Sequence, residues 1–255
     1  MLGLLNHSRT LFSGFIASLV LLVVWEIVCV VFNVREVILP KPTQIFSEIY
    51  SNLGWYIDNT LYTLMITLVG FLIAAVGGIF IAVLLVSSRL FEQFVYPLIV
   101  GFNSVPKVAL APLFVVWMGT GSEPKIAIAF LISVFAVIVD TVHGFKSVDN
   151  DLIDLSKVLK ASKIDVFMKI RFPSALPSII AGLKVALSLA LVGAIVGEFV
   201  SSQKGLGYII MSAQGVFDTV RVFSSLMILA VMGMLLYVLL VGFEKFFISW
   251  RHASD

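Results

Sequence analysis

Five ionisable residues lie within long apolar stretches of the sequence or at their ends: Glu26, Lys107, Asp140, Lys184 and Glu198. In the hydrocarbon core of a membrane such a charge costs at least about 2.5–3.5 kcal/mol unless it is paired or hydrated. Ionisable residues in this position therefore face other helices or a water-filled cavity. Their chemistry would be electrostatic, because they can pair with one another or offset the charge of a solute.

The stretch "NSVPKVALAP" surrounds one of these charges with helix-breaking residues. Each proline removes a backbone donor and bends a helix, so the carbonyls freed beside Pro106 and Pro112 can line a pathway. Two interpretations of Lys107 remain open. It offsets an anionic solute in such a pathway, or it forms a structural ion pair with Glu198 or Glu26.

Motifs of known catalytic chemistry are absent from the sequence. It contains no HExxH zinc motif, no GxSxG nucleophile turn and no Walker A phosphate-binding loop. The lone Cys29 excludes an intrachain disulfide and a multi-cysteine metal site. The sequence therefore predicts a non-catalytic chain that holds no metal and no other cofactor.

The composition places the five charges in a membrane protein. Apolar residues make up 60% of the 255 residues and charged residues 13%, whereas soluble domains average about 45–50% and about 25%. The mean hydropathy is +1.09. Backbone polar groups in lipid must be paired within a helix or a closed barrel, and no alternating strand pattern is present, so we expect an all-α membrane protein.

Six apolar runs reach the length of about 20 residues with which a helix crosses the hydrocarbon core. The predicted spans are about 11–33, 60–86, 95–118, 125–142, 179–200 and 224–248. Together they form a single transmembrane domain over residues 1–255.

Lys and Arg are distributed unequally between the two sides of these spans. Ten lie in the N-terminal tail, the 87–94 and 143–178 loops and the C-terminal tail, and five in the other three loops. The positive-inside rule places both termini and the 143–178 loop in the cytoplasm. Lys184 then lies near the inner end of its span, where we expect its amine to extend to the membrane surface. Asp140 lies at the inner end of the fourth span, where we expect it to be solvated or paired with the loop.

The 143–178 loop has the pattern of two short helices. Asp149 or Asn150 can cap the first, and Ser162 followed by Asp165 is a capping pattern for the second, which we expect to end at Pro173. A bend is predicted between them, near Lys160 and Ala161. Four apolar residues of the first helix recur at helical spacing: Leu152, Leu155, Val158 and Leu159. The loop is either a solvated segment that orients the protein, or an apolar helix face that docks into a groove of a cytoplasmic partner.

The stretch "LIDLSKVLKASKIDVFMKIRFPSALPSIIAGLKVAL" resembles the coupling loop of ABC importer permeases. That pattern has a Glu-Ala-Ala triplet, a glycine one turn later and an Ile-x-Leu-Pro end. Asp154-Leu155-Ser156 matches the triplet, and Ile170-Arg171-Phe172-Pro173 matches the end. The chain departs from the pattern at Lys160, in place of the glycine, and at Phe172, in place of the leucine.

Two further stretches resemble the same family in the same order: "SVPKVALAPLFVVWMGTGSEPKIAIAFLISVFAVIVDTVHGFKSVD" and "GEFVSSQKGLGYIIMSA". The resemblance covers nearly the full chain and is to the branch that handles nitrate, sulfonates, taurine and related small organic ions. It implies a multi-pass permease subunit in the bacterial cytoplasmic (inner) membrane. Its partners would be a second permease, two cytoplasmic ATPase subunits that bind ATP and Mg, and an extracytoplasmic substrate-binding protein.

The resemblance also implies roles for individual residues. The ATPase-docking residues of the coupling loop would be Asp154, Leu155, Ser156, Lys157, Val158, Leu159, Lys160, Ala161, Ser162 and Pro173. In this family the region that begins at Glu198 folds back towards the pathway at the external gate. The candidate residues of the pathway or its gate are Asn103, Pro106, Lys107, Pro112 and Glu198.

An ion-coupled secondary transporter is the alternative function, because it also combines spans with embedded charges and broken helices. It would not require the two-helix cytoplasmic loop. The sequence leaves open which solute is carried, and whether the second permease is a copy of this chain or a relative.

Overall fold

The computed structural model describes residues 2–247, and it describes side chains for residues 16–149 and 151–245. These residues form helices joined by short connections, and no strand occurs among them. In chain order the helices are α1 (Leu2–Val31), α2 (Pro42–Ser51), α3 (Leu53–Ser87), α4 (Arg89–Asn103), α5 (Ala111–Met118), α6 (Glu123–Lys146), α7 (Asn150–Val158), α8 (Lys163–Val166), α9 (Phe172–Ser201), α10 (Leu206–Gly215) and α11 (Thr219–Phe247). A 3₁₀ turn (Lys107–Leu110) precedes α5, and a π turn (Phe167–Arg171) joins α8 to α9.

Among the described residues, four helices are long and apolar enough to cross a membrane: α3, α6, the α8–α9 helix and α11. The pair of α4 with Lys107–Met118 is a fifth candidate, bent by 86°, and α1 adds an apolar segment at Ile16–Val31. These segments correspond in order to the six predicted apolar runs. Several helices extend beyond those runs, since α3 begins at Leu53 rather than near residue 60. The last predicted span ends at residue 248, outside the described residues.

The centre of the bundle is the contact between α6 and α9, against which α3 packs. Glycines allow the two backbones to approach closely. A Cβ placed on Gly193 would lie 2.6 Å from the Cα of Ala129, and one on Gly197 would lie 2.9 Å from the Cα of Lys125. Small residues have this role in membrane bundles because the hydrophobic effect does not drive helices together in lipid. Helix association there depends on close packing.

Gly193→Ala should destabilise the bundle, because the added methyl group overlaps the backbone of α6. Overpacking of this kind costs about 1–3 kcal/mol, more than the roughly 0.5–1 kcal/mol that alanine gains over glycine within a helix. Gly77→Ala is the matched control, because the atom nearest to a Cβ there is Cε2 of Phe130 at 4.0 Å. Thermal unfolding in detergent should give a lower Tm for Gly193→Ala than for Gly77→Ala. Equal Tm values would contradict this account of the α6–α9 contact.

The third apolar run is broken, as its two prolines predict. α4 ends at Asn103, and Pro106 directly precedes the 3₁₀ turn. Pro112 lies in the first turn of α5, where a backbone N–H has no partner within the helix. Proline therefore loses no intrahelical hydrogen bond at this position. The backbone around Lys107 is therefore irregular rather than part of a continuous helix.

The loop between α6 and α9 contains the two predicted helices, but the second does not end at Pro173. The N–H of Phe172 donates to the carbonyl of Phe167, five residues back, and Pro173 lies in the first turn of α9. A π turn widens the helix just before a residue that has no N–H to donate. The predicted stop at Pro173 is wrong, and one continuous helix runs from Lys163 to Ser201.

α2 is an amphipathic helix in the connection that precedes α3. Ile45 is fully buried in it, whereas Tyr50 is 83% exposed. Ile45 and Tyr50 lie on different sides of α2, because successive residues are about 100° apart around a helix. α2 packs against α11, so it is a part of the bundle.

Candidate functional site

The bend between α7 and α8 is a Schellman-type helix end. The N–H of Ala161 donates to the carbonyl of Ser156 (3.0 Å), and the N–H of Lys160 donates to the carbonyl of Lys157 (3.0 Å). Lys160 has the left-handed conformation, with φ of 54°, which glycine usually supplies at this position. Lysine costs about 1–2 kcal/mol there, and its conformation agrees with its alignment to the glycine of the resembled pattern.

Side-chain caps fix the start of both loop helices. The Asp149 carboxylate accepts a hydrogen bond from the N–H of Asp151 (3.0 Å), and the Ser162 hydroxyl accepts one from the N–H of Asp165 (3.1 Å). Both predicted caps are confirmed. The direction of α7 and α8 is therefore set locally by the sequence of the loop.

An apolar groove lies between these two helices. Leu152 and Leu155 of α7 and Leu159 directly after it line one wall, and Val166 and Ile170 line the other, around a volume of about 330 Å³. Leu155 is 54% exposed and Leu159 70% exposed. Open apolar side chains in a groove of this kind suit contact with another protein.

The polar side chains of α7 form interactions within the helix itself. Asp154 and Lys157 form an ion pair with each other (2.7 Å), and both side chains are largely exposed. Ser156 is buried, and its hydroxyl donates to the carbonyl of Ile153 (2.6 Å). An exposed ion pair contributes at most about 1 kcal/mol, so the leucines are the stronger candidates for recognition.

A cavity of about 490 Å³ lies beside the broken third span. Asn103 and Lys107 line it from that span, Phe135 and Asp140 from α6, and Leu189 from α9. The Lys107 amine donates to the backbone oxygen (3.0 Å) and the side-chain oxygen (2.9 Å) of Asn103, and lies 4.7 Å from the centre of the Phe135 ring. Asn103 and Lys107 thus share one cavity, whereas Pro106 and Pro112 shape the backbone beside it.

Among the described residues, Lys107 forms no ion pair with Glu198 or Glu26, so that interpretation is wrong. Glu26 instead accepts hydrogen bonds from the N–H (3.1 Å) and the hydroxyl (2.9 Å) of Thr43 at the start of α2. Asn103 lies one turn from Lys107 in the chain, and its oxygens accept two hydrogen bonds from the amine.

Lys184 has a charged partner on another helix. Its amine binds the carboxylate of Glu244 on α11 at 2.5 Å, and both side chains are mostly buried. The two residues are 60 positions apart. The packing of α9 on α11 therefore provides the carboxylate that pairs with this amine.

Glu198 is buried at the outer end of α9. Its carboxylate accepts hydrogen bonds from the hydroxyl of Thr63 (2.8 and 3.1 Å) and from the N–H of Gly207 (2.7 Å). The same Thr63 oxygen accepts the N–H of Leu206 (2.9 Å). The first N–H groups of a helix have no intrahelical partners, so Glu198 and Thr63 cap α10 from outside it.

Asn59 completes this network one turn before Thr63 on α3. Its side-chain oxygen accepts the N–H of Gly205 (2.7 Å). Gly205 has φ of 104°, and a Cβ there would lie 2.3 Å from the Glu198 carboxyl carbon, so the position requires glycine. Side chains of α3 and α9 thus fix the start of α10, the segment that the sequence analysis connects with a gate.

Lys125 is a buried cation that the sequence analysis counts only among loop charges. Its amine donates to the carbonyls of Thr120 (3.0 Å) and Gly121 (2.5 Å). Its side chain packs on Gly197 of α9. These contacts give it a structural role in the turn between α5 and α6.

The comparisons with known proteins decide to which family these features belong. Residues 74–250 match the family model described as "Binding-protein-dependent transport system inner membrane component". The chain belongs to this family. It is a permease subunit of an ABC importer and a multi-pass membrane protein, as its resemblance implied.

Two curated relatives cover most of the permease. The formylaminopyrimidine transport permease protein ThiX of Halalkalibacterium halodurans is 33% identical over 234 residues, which cover 91% of this chain and 93% of that protein. SsuC of Bacillus subtilis, named for aliphatic sulfonates transport, is 29% identical over 246 residues, which cover 95% and 89%. Both names describe permeases, and they differ in the solute.

A solved structure of an amino acid ABC transporter contains a chain of similar fold. The match has a TM-score of 0.60 at 19% identity, and it covers 82% of this permease and 98% of that chain. At this identity the likeness supports the fold alone. The all-α prediction is confirmed.

The sequence analysis missed Asn59 and Thr63, which hold α10 together with Glu198. A signal was present, because two polar residues four positions apart share one face of a helix, and "DNTLYTLMITL" is otherwise mainly apolar. The Lys184 partner Glu244 carried no local signal, since only packing joins α9 to α11 there.

Proposed function

We propose that the permease forms, with a second copy or a related permease, an alternating-access pathway for a small solute in the bacterial cytoplasmic (inner) membrane. Residues 1–255 form its single transmembrane domain, with both termini in the cytoplasm. ATP and Mg bind to two cytoplasmic ATPase subunits, and this chain has no turnover and no cofactor of its own. A substrate-binding protein delivers the solute from outside.

The apolar groove between α7 and α8 is the observation that supports docking of an ATPase subunit on this permease. It lies in the 143–178 loop, which carries six of the seventeen Lys and Arg residues of the chain. Residues 154–162 dock on the ATPase subunit. Because α8 continues without a break into α9, a displacement of the docked loop moves the helix that carries Leu189 of the cavity and Glu198 of the α10 network.

The solute pathway includes the cavity beside the broken third span. Asn103 and Lys107 contribute polar groups there, and the amine of Lys107 favours a solute with an acceptor or anionic group. Nitrate-, sulfonate- or taurine-like ions are the solutes that the resemblance favours. The relative named for formylaminopyrimidine adds a small heterocycle as a candidate.

The external gate in this proposal is α10 with the connection that precedes it. Glu198 holds this segment through Gly207, and Thr63 holds it through Leu206. These hydrogen bonds are few and directional, so the segment can be released as a unit when α9 moves relative to α3.

Affinity purification of the permease from native membranes tests the proposal directly. We expect an ATP-binding subunit to co-purify, and the complex in nanodiscs to hydrolyse ATP, whereas the permease alone should not. A permease that purifies alone and transports under an ion gradient without ATP would overturn the proposal in favour of a secondary transporter.

Lys160→Gly should keep or improve assembly with the ATPase subunit. Glycine removes about 1–2 kcal/mol of strain at the left-handed position, and the hydrogen bonds of the bend use backbone groups that glycine retains. Lys157→Gly is the matched control, because Lys157 lies inside α7, where glycine costs about 0.5–1 kcal/mol. Hydrogen exchange of the loop amides should slow in Lys160→Gly and accelerate in Lys157→Gly. A loss of the ATPase in Lys160→Gly would count against the alignment of this position.

A further inference from the structure

The carboxylate of Asp140 borders the cavity, and the proposed transport cycle gives this residue no role. It lies on α6 and lines the same space as Lys107. Within the described residues, its carboxylate has no hydrogen-bond partner and no ion pair. His143, one turn further along α6, is close enough to interact with it electrostatically. A carboxylate without a direct partner in a membrane span is costly, so it indicates water or a ligand group beside it.

The opposite helix leaves space for this carboxylate. A Cβ placed on Gly182 of α9 would lie 2.7 Å from the Cβ of Asp140 and 3.1 Å from its Oδ2. The absence of a side chain at Gly182 therefore lets Asp140 lie against α9 while it borders the cavity. Its position is set by the close packing of α6 and α9.

Lys107 retains hydrogen-bonding capacity on its side of the cavity. An ammonium group has three N–H donors, and Asn103 accepts two hydrogen bonds from it. In the part of the chain that the structure describes, Lys107 and Asp140 form no ion pair with each other, although both line the cavity. The cavity thus offers a cation and an anion as two separate binding groups, between the apolar side chains of Ile132 and Leu189.

We infer that this cavity binds a small zwitterion, with its oxyanion at Lys107 and Asn103 and its cationic nitrogen at Asp140. The inference rests on the proposed function in that a solute passes through the cavity. A solute that is only anionic meets the carboxylate of Asp140 as a like charge, and one that is only cationic meets Lys107. Asp140 and Lys107 together therefore determine the solute class.

Protection of a cysteine in the cavity tests this inference. Val139 lines the cavity, so Val139→Cys places a thiol there, and the wild-type chain, whose Cys29 is buried, is the labelling control. The permease complex in nanodiscs is labelled with N-ethylmaleimide in the presence of one of three probes that share a two-carbon chain and differ in their charged groups: 2-aminoethanesulfonate, ethanesulfonate or ethylammonium. One charge-assisted hydrogen bond changes affinity by about tenfold or more. We expect 2-aminoethanesulfonate to protect at a concentration lower than the other two by at least this factor.

Removal of one charge at a time tests whether the preference for 2-aminoethanesulfonate depends on Asp140 and on Lys107. Asp140→Asn should make 2-aminoethanesulfonate no better than ethanesulfonate, and Lys107→Gln should make it no better than ethylammonium. Co-purification of the ATPase subunit shows that each variant still folds and assembles.

Equal protection by the three probes, or a zwitterion preference that survives Asp140→Asn, overturns the inference. Absence of any protection in a complex that labels normally and hydrolyses ATP also overturns it. Failure of the proposed function gives a different result, since the permease would then lack an ATPase subunit whatever the three probes do.

Discussion

The double substitution Leu155→Asp and Leu159→Asp is expected to separate the permease from its ATPase subunits. Both leucines are more than half exposed and border the apolar groove of the coupling loop. Loss of a central apolar contact at an interface costs about 2 kcal/mol or more for each residue, and the new carboxylates add desolvation. A loss of about 4 kcal/mol weakens binding by about a thousandfold. The ratio of ATPase to permease after affinity purification measures the effect.

Ile164→Asp with Met168→Asp is the matched control for this double variant. Both side chains are exposed on the same loop, but neither lines the groove. The control should retain the ATPase, and its rate of ATP hydrolysis in nanodiscs should stay near that of the wild type. If both double variants lose the ATPase equally, the groove is not the docking surface. If neither does, the proposed coupling through this loop is wrong.

Glu198→Ala is expected to release the start of α10 and to lower the stability of the permease. The Thr63 hydroxyl and the Gly207 N–H donate to this carboxylate inside the protein. A buried donor that loses its acceptor costs about 1–3 kcal/mol. This cost applies to the Gly207 N–H, because the Thr63 hydroxyl can still donate to the carbonyl of Asn59 at 3.2 Å. Hydrogen exchange of the amides at 205–207 should become much faster, and the Tm should fall.

Glu198→Gln separates the hydrogen bonds of Glu198 from its charge. The amide oxygen can accept the N–H of Gly207, and the amide nitrogen can donate to Thr63. Thr63 can then donate to the carbonyl of Asn59, which lies 3.2 Å away. We expect Glu198→Gln to keep most of the protection at 205–207 that Glu198→Ala loses. Unchanged exchange in Glu198→Ala would show that α10 is held by its apolar contacts rather than by this network.

Local patterns allowed the form of the 143–178 loop to be predicted in detail. The caps at Asp149 and Ser162 and the bend at Lys160 depend on residues within a few positions of one another. Backbone hydrogen bonds and side-chain caps of this kind form in almost any tertiary setting. The same local reasoning failed at Pro173, because a π turn just before it admits the proline into a continuous helix.

The partners of the embedded charges could not be predicted in the same way. The sequence showed that Lys107, Lys184 and Glu198 need partners or water, since lipid provides neither. It did not show that these would be Asn103, Glu244 and Thr63. Apart from Asn103, these partners lie on other helices, and their approach depends on how the bundle packs.

The sequence by itself determined that this is an all-α membrane protein, where its third span breaks, and the form of its 143–178 loop. These follow from hydropathy, proline geometry and helix capping, which act over short stretches of chain. The tertiary structure alone decided that Asp140 shares a cavity with Lys107 and that Glu198 holds α10. Both depend on the glycine-mediated contacts of α9, at Gly182 with Asp140 and at Gly205 and Gly207 with Glu198. Such contacts join residues far apart in the chain, and a few tenths of an ångström in helix separation decide whether they form.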